Sequence, residues 1–285
     1  MKKIIITESQ YRTIRKHLLE SKLRSYVFDW DDNILRMPTK VNMEKNENGK
    51  WLPVKVTTEE FAHFRSDPNY RLVADSFKDF RDNQAFIVDA EKAIHNNSFA
   101  PSYKKFIEAL TYASHFAINT ARGHSPETLK KGVKLFIKMV LDEEQKRMMF
   151  NNIKKELPTN LTKELNFGQM VDLYLDERGE FYPVSSDEFG KQFGLEVSGG
   201  AANPEHAKKV AIENFVKKLL DAVKKHMVNN RYKKISLGFS DDDKKNVKAA
   251  EDFLRNELSK MYPEVHFVIY DTSEGGKRKI VIEKE

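Results

Sequence analysis

Three short apolar runs, each cut off by acids or a hydroxyl, constrain most strongly what this chain can fold into. Tyr26-Val27-Phe28 runs into Asp29-Trp30-Asp31, 115–119 into Thr120, and 233–240 into Asp241-Asp242-Asp243. Such runs, bounded by polar turns, are strand signals. Between them lie segments of helical spacing. In 101–114, Phe106, Ile107 and Leu110 share a face, and 125–141 opens with Ser125 as N-cap and Pro126 in the first helical position. Further helices are expected at 205–228, after the glycine-rich 197–203, and at 244–261, with a short amphipathic one at 8–21. Strands are also expected at 50–56, 265–271 and 278–284, and 169–185 reads as two strands around the Arg178-Gly179 turn. This alternation predicts an α/β fold with a mainly parallel sheet and crossover helices. In such folds ligands bind beyond the carboxyl ends of the strands.

Composition narrows the chemistry. The chain has no cysteine, which rules out disulfides, thiolate nucleophiles and Cys-ligated zinc. Eight histidines are scattered without an HExxH-like pair, so a metal would be held mainly by oxygen, as magnesium or manganese are. No apolar run approaches the roughly 18 residues of a membrane span. The N-terminus turns polar at Thr7, unlike a signal peptide, and an intracellular, cytoplasmic protein without a membrane partner is expected. A net charge of +6 suits polyanions such as nucleic acid, but lysines spread over amphipathic helices read more plainly as a solvated surface.

At the strand ends the acids come in groups. Asp29 and Asp31, one residue apart, project to the same side of an extended segment. Their repulsion is costly unless a cation or another partner offsets it. One can attack phosphorus while the other handles protons. Asp241 and Asp242 add oxygens from a second segment, while Asp243 suits the cap of the following helix. Thr120, with Arg122 two residues on, offers a hydroxyl and backbone N–H groups to a phosphoryl oxygen. Lys208 and Lys209, early in the helix after 197–203, are the candidate cations, although most lysines here suit a solvated face.

Taken in order, VFDWDDNIL, INTARGH, the lysine pair and GFSDDDKKNV resemble the four motifs of the haloacid dehalogenase superfamily, spanning residues 24 to 245. The resemblance implies a Rossmann-like three-layer sandwich, with Asp29 as nucleophile, Asp31 as general acid/base and Thr120 as the phosphoryl-binding hydroxyl. It also implies Lys208, slightly ahead of Lys209, as the motif lysine. Arg122 and Lys209 would touch substrate. Magnesium would be held by Asp29, Asp31 (through its main-chain carbonyl), Asp241 and Asp242. Asp32-Asn33 stands where Gly-Thr is often found, and the spacer between the first two motifs is long. The core is therefore expected at 1–35 and 100–285, with a cap insertion at 36–99 and a possible second insertion at 142–200. The implied reaction is magnesium-dependent hydrolysis of a phosphomonoester, most simply of a small molecule. A phosphatase acting on nucleic-acid ends is a rival, given the aromatics of the insertion (Trp51, Phe61, Phe64, Tyr70, Phe77, Phe80). So is a module that binds metal or a partner without catalysis. Arg65, Arg71 and Arg81 are candidates for a second anionic group of the substrate, against a plainer reading as solvated side chains.

Overall fold

The computed structural model describes residues 7–8, 22–196, 203–226 and 234–283. The helix expected at 8–21 and most of the glycine-rich 197–203 lie outside them. After β1 (Lys22–Phe28) come β2 (Val41–Glu47), β3 (Lys50–Val56), α1 (Thr58–Phe64) and β4 (Tyr70–Leu72). Next are α2 (Asn83–His95), α3 (Tyr103–Thr111), β5 (His115–Thr120), α4 (Pro126–Val140), α5 (Glu143–Glu156), α6 (Thr159–Thr162) and α7 (Phe167–Arg178). The chain continues through β6 (Gly179–Pro183), α8 (Asp187–Phe193), α9 (Pro204–His226), β7 (Lys234–Asp241), α10 (Lys244–Phe253), β8 (Val265–Asp271) and β9 (Arg278–Val281).

Six strands form one sheet in the order β6-β5-β1-β7-β8-β9. All its pairings are parallel except the closing β8–β9 hairpin. The fold is therefore α/β, as the alternation predicts. Strand β1 is central and its side chains alternate. Tyr26 and Phe28 enter the core under α2, α3, α4, α5 and α7, while Leu23 and Val27 enter the opposite core under α9 and α10. Helices thus cover both faces, which explains why the end of β1 (Tyr26-Val27-Phe28) and the middle of β5 (Phe116-Ala117-Ile118) are unbroken apolar runs. No helix among the described residues is long and apolar enough to cross a membrane.

The reading of 169–185 as two strands is corrected: its first half is the end of α7, and only β6 is extended. Met170, Val171, Tyr174, Leu175 and Arg178 are buried, a helical rather than alternating spacing. A capping box starts the helix, Asn166 Oδ1 accepting from Gln169 N at 3.0 Å and Gln169 Oε1 from Asn166 N at 3.0 Å. Strand β6 lies at the edge of the main sheet, and α5 and α7 pack in the main core.

Within the 36–99 insertion, β3-β2-β4 make a separate antiparallel sheet. Asn48-Gly49, both at positive φ (54° and 82°), turn β2 into β3 as a two-residue hairpin loop requires. Val41, Met43, Val56 and Phe80 form a small core, with Phe61, Phe64, Tyr70 and Phe77 packed against it. Helix α2 belongs elsewhere: Phe86, Ala90, Ala93 and Ile94 join the main core.

The α2–α4 contact is tight. Alanine ordinarily outperforms glycine inside a helix by about 1 kcal/mol. A Cβ on Gly132 of α4, however, would stand 2.6 Å from Phe86 Cε1. Phe86 is fully buried and packs against Trp30 and His124, so it has little room to yield. Overpacking costs about 1–3 kcal/mol and should win here. Gly132→Ala is expected to lower the unfolding free energy in a urea titration by up to about 2 kcal/mol, the overpacking cost less the propensity gain; a gain in stability would mean that the helices part freely.

Candidate active site

The strand order β5-β1-β7 brings three carboxyl ends side by side. Phe28 pairs with Ile118 on one flank and Ser240 on the other. The next amide, of Asp29, donates to Ser240 O at 2.9 Å. Asp29, Thr120 and Asp241 therefore meet at one edge of the sheet, as the apolar runs predict.

Lys208, from the start of α9, reaches this edge with its side chain 3% exposed. Its Nζ donates to Asp29 Oδ2 at 2.8 Å and to Asp241 Oδ2 at 2.7 Å. Asp29 Oδ1 accepts from Trp30 N at 2.7 Å, and Asp241 Oδ1 from Asp243 N at 3.0 Å and Asn246 Nδ2 at 3.2 Å. Asp242 completes the group: one carboxylate oxygen from each of Asp29, Asp241 and Asp242 lies within 4.8 Å of the others. Asp243 caps α10, accepting from Lys245 N at 2.7 Å, and pairs with Arg65 at 2.9 Å.

Charge here is unbalanced. Burial pushes the Asp29 carboxyl up from 3.8 to about 7; Lys208 opposes the rise, and Asp241 and Asp31 add to it. Asp242 is raised well above the ordinary range by burial, then by Asp241 and Asp29. Burial works against the Lys208 ammonium, but Asp241 and Asp29 outweigh it and hold the charge. Three carboxylates facing one ammonium form a hard oxygen set with excess negative charge, which fits a divalent cation such as magnesium.

Asp31 is engaged elsewhere. Its Oδ1 and Oδ2 accept from Arg122 Nη2 and Nε at 2.6 and 2.8 Å, and the Thr120 hydroxyl stands 3.5 Å from Oδ2. Arg122, expected to touch substrate, is 1% exposed and commits its guanidinium to Asp31. The Asp31 carboxylate is not part of the three-acid set. Lys209 does not enter the cluster with Lys208; its Nζ lies 5.7 Å from the centroid of the Phe253 ring. Arg71 and Arg81 pair within the protein, with Glu44 at 2.6 Å and Asp187 at 3.6 Å. The aromatics of the insertion largely face one another, Phe64 stacking on Tyr70 at 4.2 Å and Phe61 meeting Phe77 edge-on at 5.4 Å.

Two departures from the expected loop acquire roles. Asp32 adopts φ 48°, the left-handed region where glycine is usual, and accepts from the Thr58 hydroxyl of α1. Burial pushes the Asp32 carboxyl up to about 6. Asn33 is fully buried; its Nδ2 donates to Asp29 O and Ser240 O at 3.2 and 2.9 Å, and its Oδ1 accepts from Ser240 Oγ and Thr272 Oγ1 at 2.9 and 3.2 Å. Thr39, Asp89 and His124 also reach the Arg122 network, and sequence reading overlooked them. Only a buried polar side chain with a fixed partner marks them, and that is a property of the fold.

The chain matches no family model, and no curated protein or solved structure is significantly similar to it.

The cluster implies a pH dependence. Between 3.8 and about 7 the folded protein keeps the Asp29 proton that the unfolded chain has lost. The unfolded state then binds fewer protons, so this carboxyl makes stability fall as pH rises through that window. A cation offsets the ionised carboxylate. Magnesium is expected to raise the melting temperature clearly at about pH 8 and little at about pH 5. Thermal unfolding at both values checks this, and an equal shift at the two would count against a cation at Asp29.

Proposed function

We propose that this protein is a divalent-cation-dependent phosphomonoester hydrolase of the haloacid dehalogenase type, working through an aspartyl-phosphate on Asp29. One observation carries the reading: a nearly buried carboxylate at the end of the central strand, bridged by Lys208 to Asp241 beside a third acid. The helix-covered parallel sheet and the order of the four motifs along the chain support it.

In this reading an Asp29 oxygen attacks phosphorus in line, and the bond to the leaving oxygen breaks. Asp31 protonates that oxygen, then takes a proton from the water that splits the acyl phosphate. Lys208 and the Thr120 hydroxyl bind phosphoryl oxygens where charge must be stabilised. Magnesium held by Asp29, Asp241 and Asp242 would supply the positive charge that lets two anions approach. The insertion touches the site through Thr58 on Asp32 and Arg65 on Asp243, so substrate choice is assigned to it. Its aromatics are mostly spent on its own small core, which favours a small phosphorylated molecule over stacked nucleic-acid bases.

Hydrolysis of 4-nitrophenyl phosphate, with and without magnesium, tests the reading. Turnover is expected to need the metal and to drop at least about a thousandfold in Asp29→Asn. Beryllium fluoride with magnesium should stabilise the wild type against heat and leave Asp29→Asn unaffected. A folded, magnesium-supplied protein that shows neither turnover nor this stabilisation would sink the proposal.

A further inference from the structure

Arg122 sits in a socket that the insertion builds. Besides Asp31, its Nη2 donates to Thr39 Oγ1 at 3.0 Å, and its Nη1 meets His124 Nε2 at 3.2 Å. Its guanidinium lies 4.7 Å from the Phe80 ring centroid and 5.3 Å from that of Phe86. Guanidinium only donates, so Thr39 must accept from Arg122 and has its one proton left for Asp89 Oδ2, 2.8 Å away. Burial, and next the charge of Arg122, lower the His124 pKa to about 4, which leaves a neutral ring able to accept. Thr39 belongs to the outgoing stem of the 36–99 insertion, and Phe80, Phe86 and Asp89 to the returning one.

We infer that Arg122 is a positioning residue for Asp31, and that both stems of the insertion hold it in place. Seating the insertion then does more than cover a substrate. It sets the direction of the carboxylate that passes protons to and from the reacting oxygens. A bidentate arginine pair fixes the carboxylate plane as well as its distance, and with two aromatic rings close to the guanidinium the pair has little freedom to rotate. The catalytic half of this inference rests on the hydrolase reading above; the coupling of Thr39 to Arg122 does not.

Thr39→Val keeps the shape and removes the hydroxyl, whereas Thr39→Ser keeps the hydroxyl. Two probes differ in their need for an acid: benzyl phosphate has a poor leaving group, 4-nitrophenyl phosphate a good one. In single-turnover measurements of phosphoryl transfer, Thr39→Val should slow the benzyl ester by about tenfold or more beyond its effect on the nitrophenyl ester. Thr39→Ser should restore the wild-type ratio. Equal losses on both esters would overturn the positioning role. Exchange of the Arg122 Nε–H, followed by NMR, gives a readout that needs no turnover. It is expected to be slow in the wild type and faster by about tenfold or more in Thr39→Val. Unchanged protection overturns the coupling, whether or not the protein hydrolyses phosphate. Absence of turnover in the wild type would count against the hydrolase reading and the catalytic half together, leaving the exchange result to decide the coupling.

Discussion

The bond pair from Lys208 to Asp29 and Asp241 is the constraint on which the strand-end arrangement depends. Two carboxylates on adjacent parallel strands, both almost out of water, would otherwise repel in a medium that screens poorly. One ammonium placed between them converts repulsion into a bridge across the β1–β7 pairing. Burying such charges is expensive, and breaking a buried pair by removing one partner typically costs about 3–5 kcal/mol. A fold seeking stability alone would fill this space with apolar side chains. That three carboxyl groups and one ammonium occupy it instead is the physical reason to make this edge the candidate site.

Around that bridge the protein keeps two carboxylates in different company. Asp29 faces other acids and Lys208, and its proton is held up to about pH 7. Asp31, two residues on, is clasped by a buried arginine. Trp30 between them points into the core against Phe86 and Phe106, so the alternation of an extended segment separates the acids from the packing. Neighbouring carboxylates with distinct surroundings can take distinct tasks, which the proposed reaction asks of this one short loop.

Much of this was legible in the residues. Short apolar runs ending in Asp29, Thr120 and Asp241 give the strands and their shared edge, and Ser125-Pro126 and Asp243 mark helix starts that the fold retains. Local pattern failed at 169–185, where the Arg178-Gly179 pair looked like a hairpin turn and is a helix running into a strand. It also failed at Arg122, because an arginine after a strand reads as a free cation until its partners are known. Thr39 and Asp89 lie fifty residues apart and meet only through the return of the insertion. Spacing along the chain carries no trace of such a contact.

Asn33 anchors the floor of the site. Both its amide protons are used and its carbonyl accepts from the Ser240 hydroxyl, binding the loop after β1 to the end of β7, while the Thr272 hydroxyl shares its one proton between Asn33 Oδ1 and the closer Asp241 O. Turning the amide over would set donors against hydroxyls and an acceptor against carbonyls. The Asn33 bonds therefore tie the floor of the site to the sheet. The same fact bears on how such a protein can diversify. Residues between about 40 and 79 can be rebuilt for a new ligand only where they leave Thr58 on Asp32, Arg65 on Asp243 and the packing of Val41, Met43 and Val56 against Phe80 in place. A graft cut at 36 and 99 would carry away Thr39, Phe80 and Phe86, and with them three of the groups that hold Arg122 against Asp31.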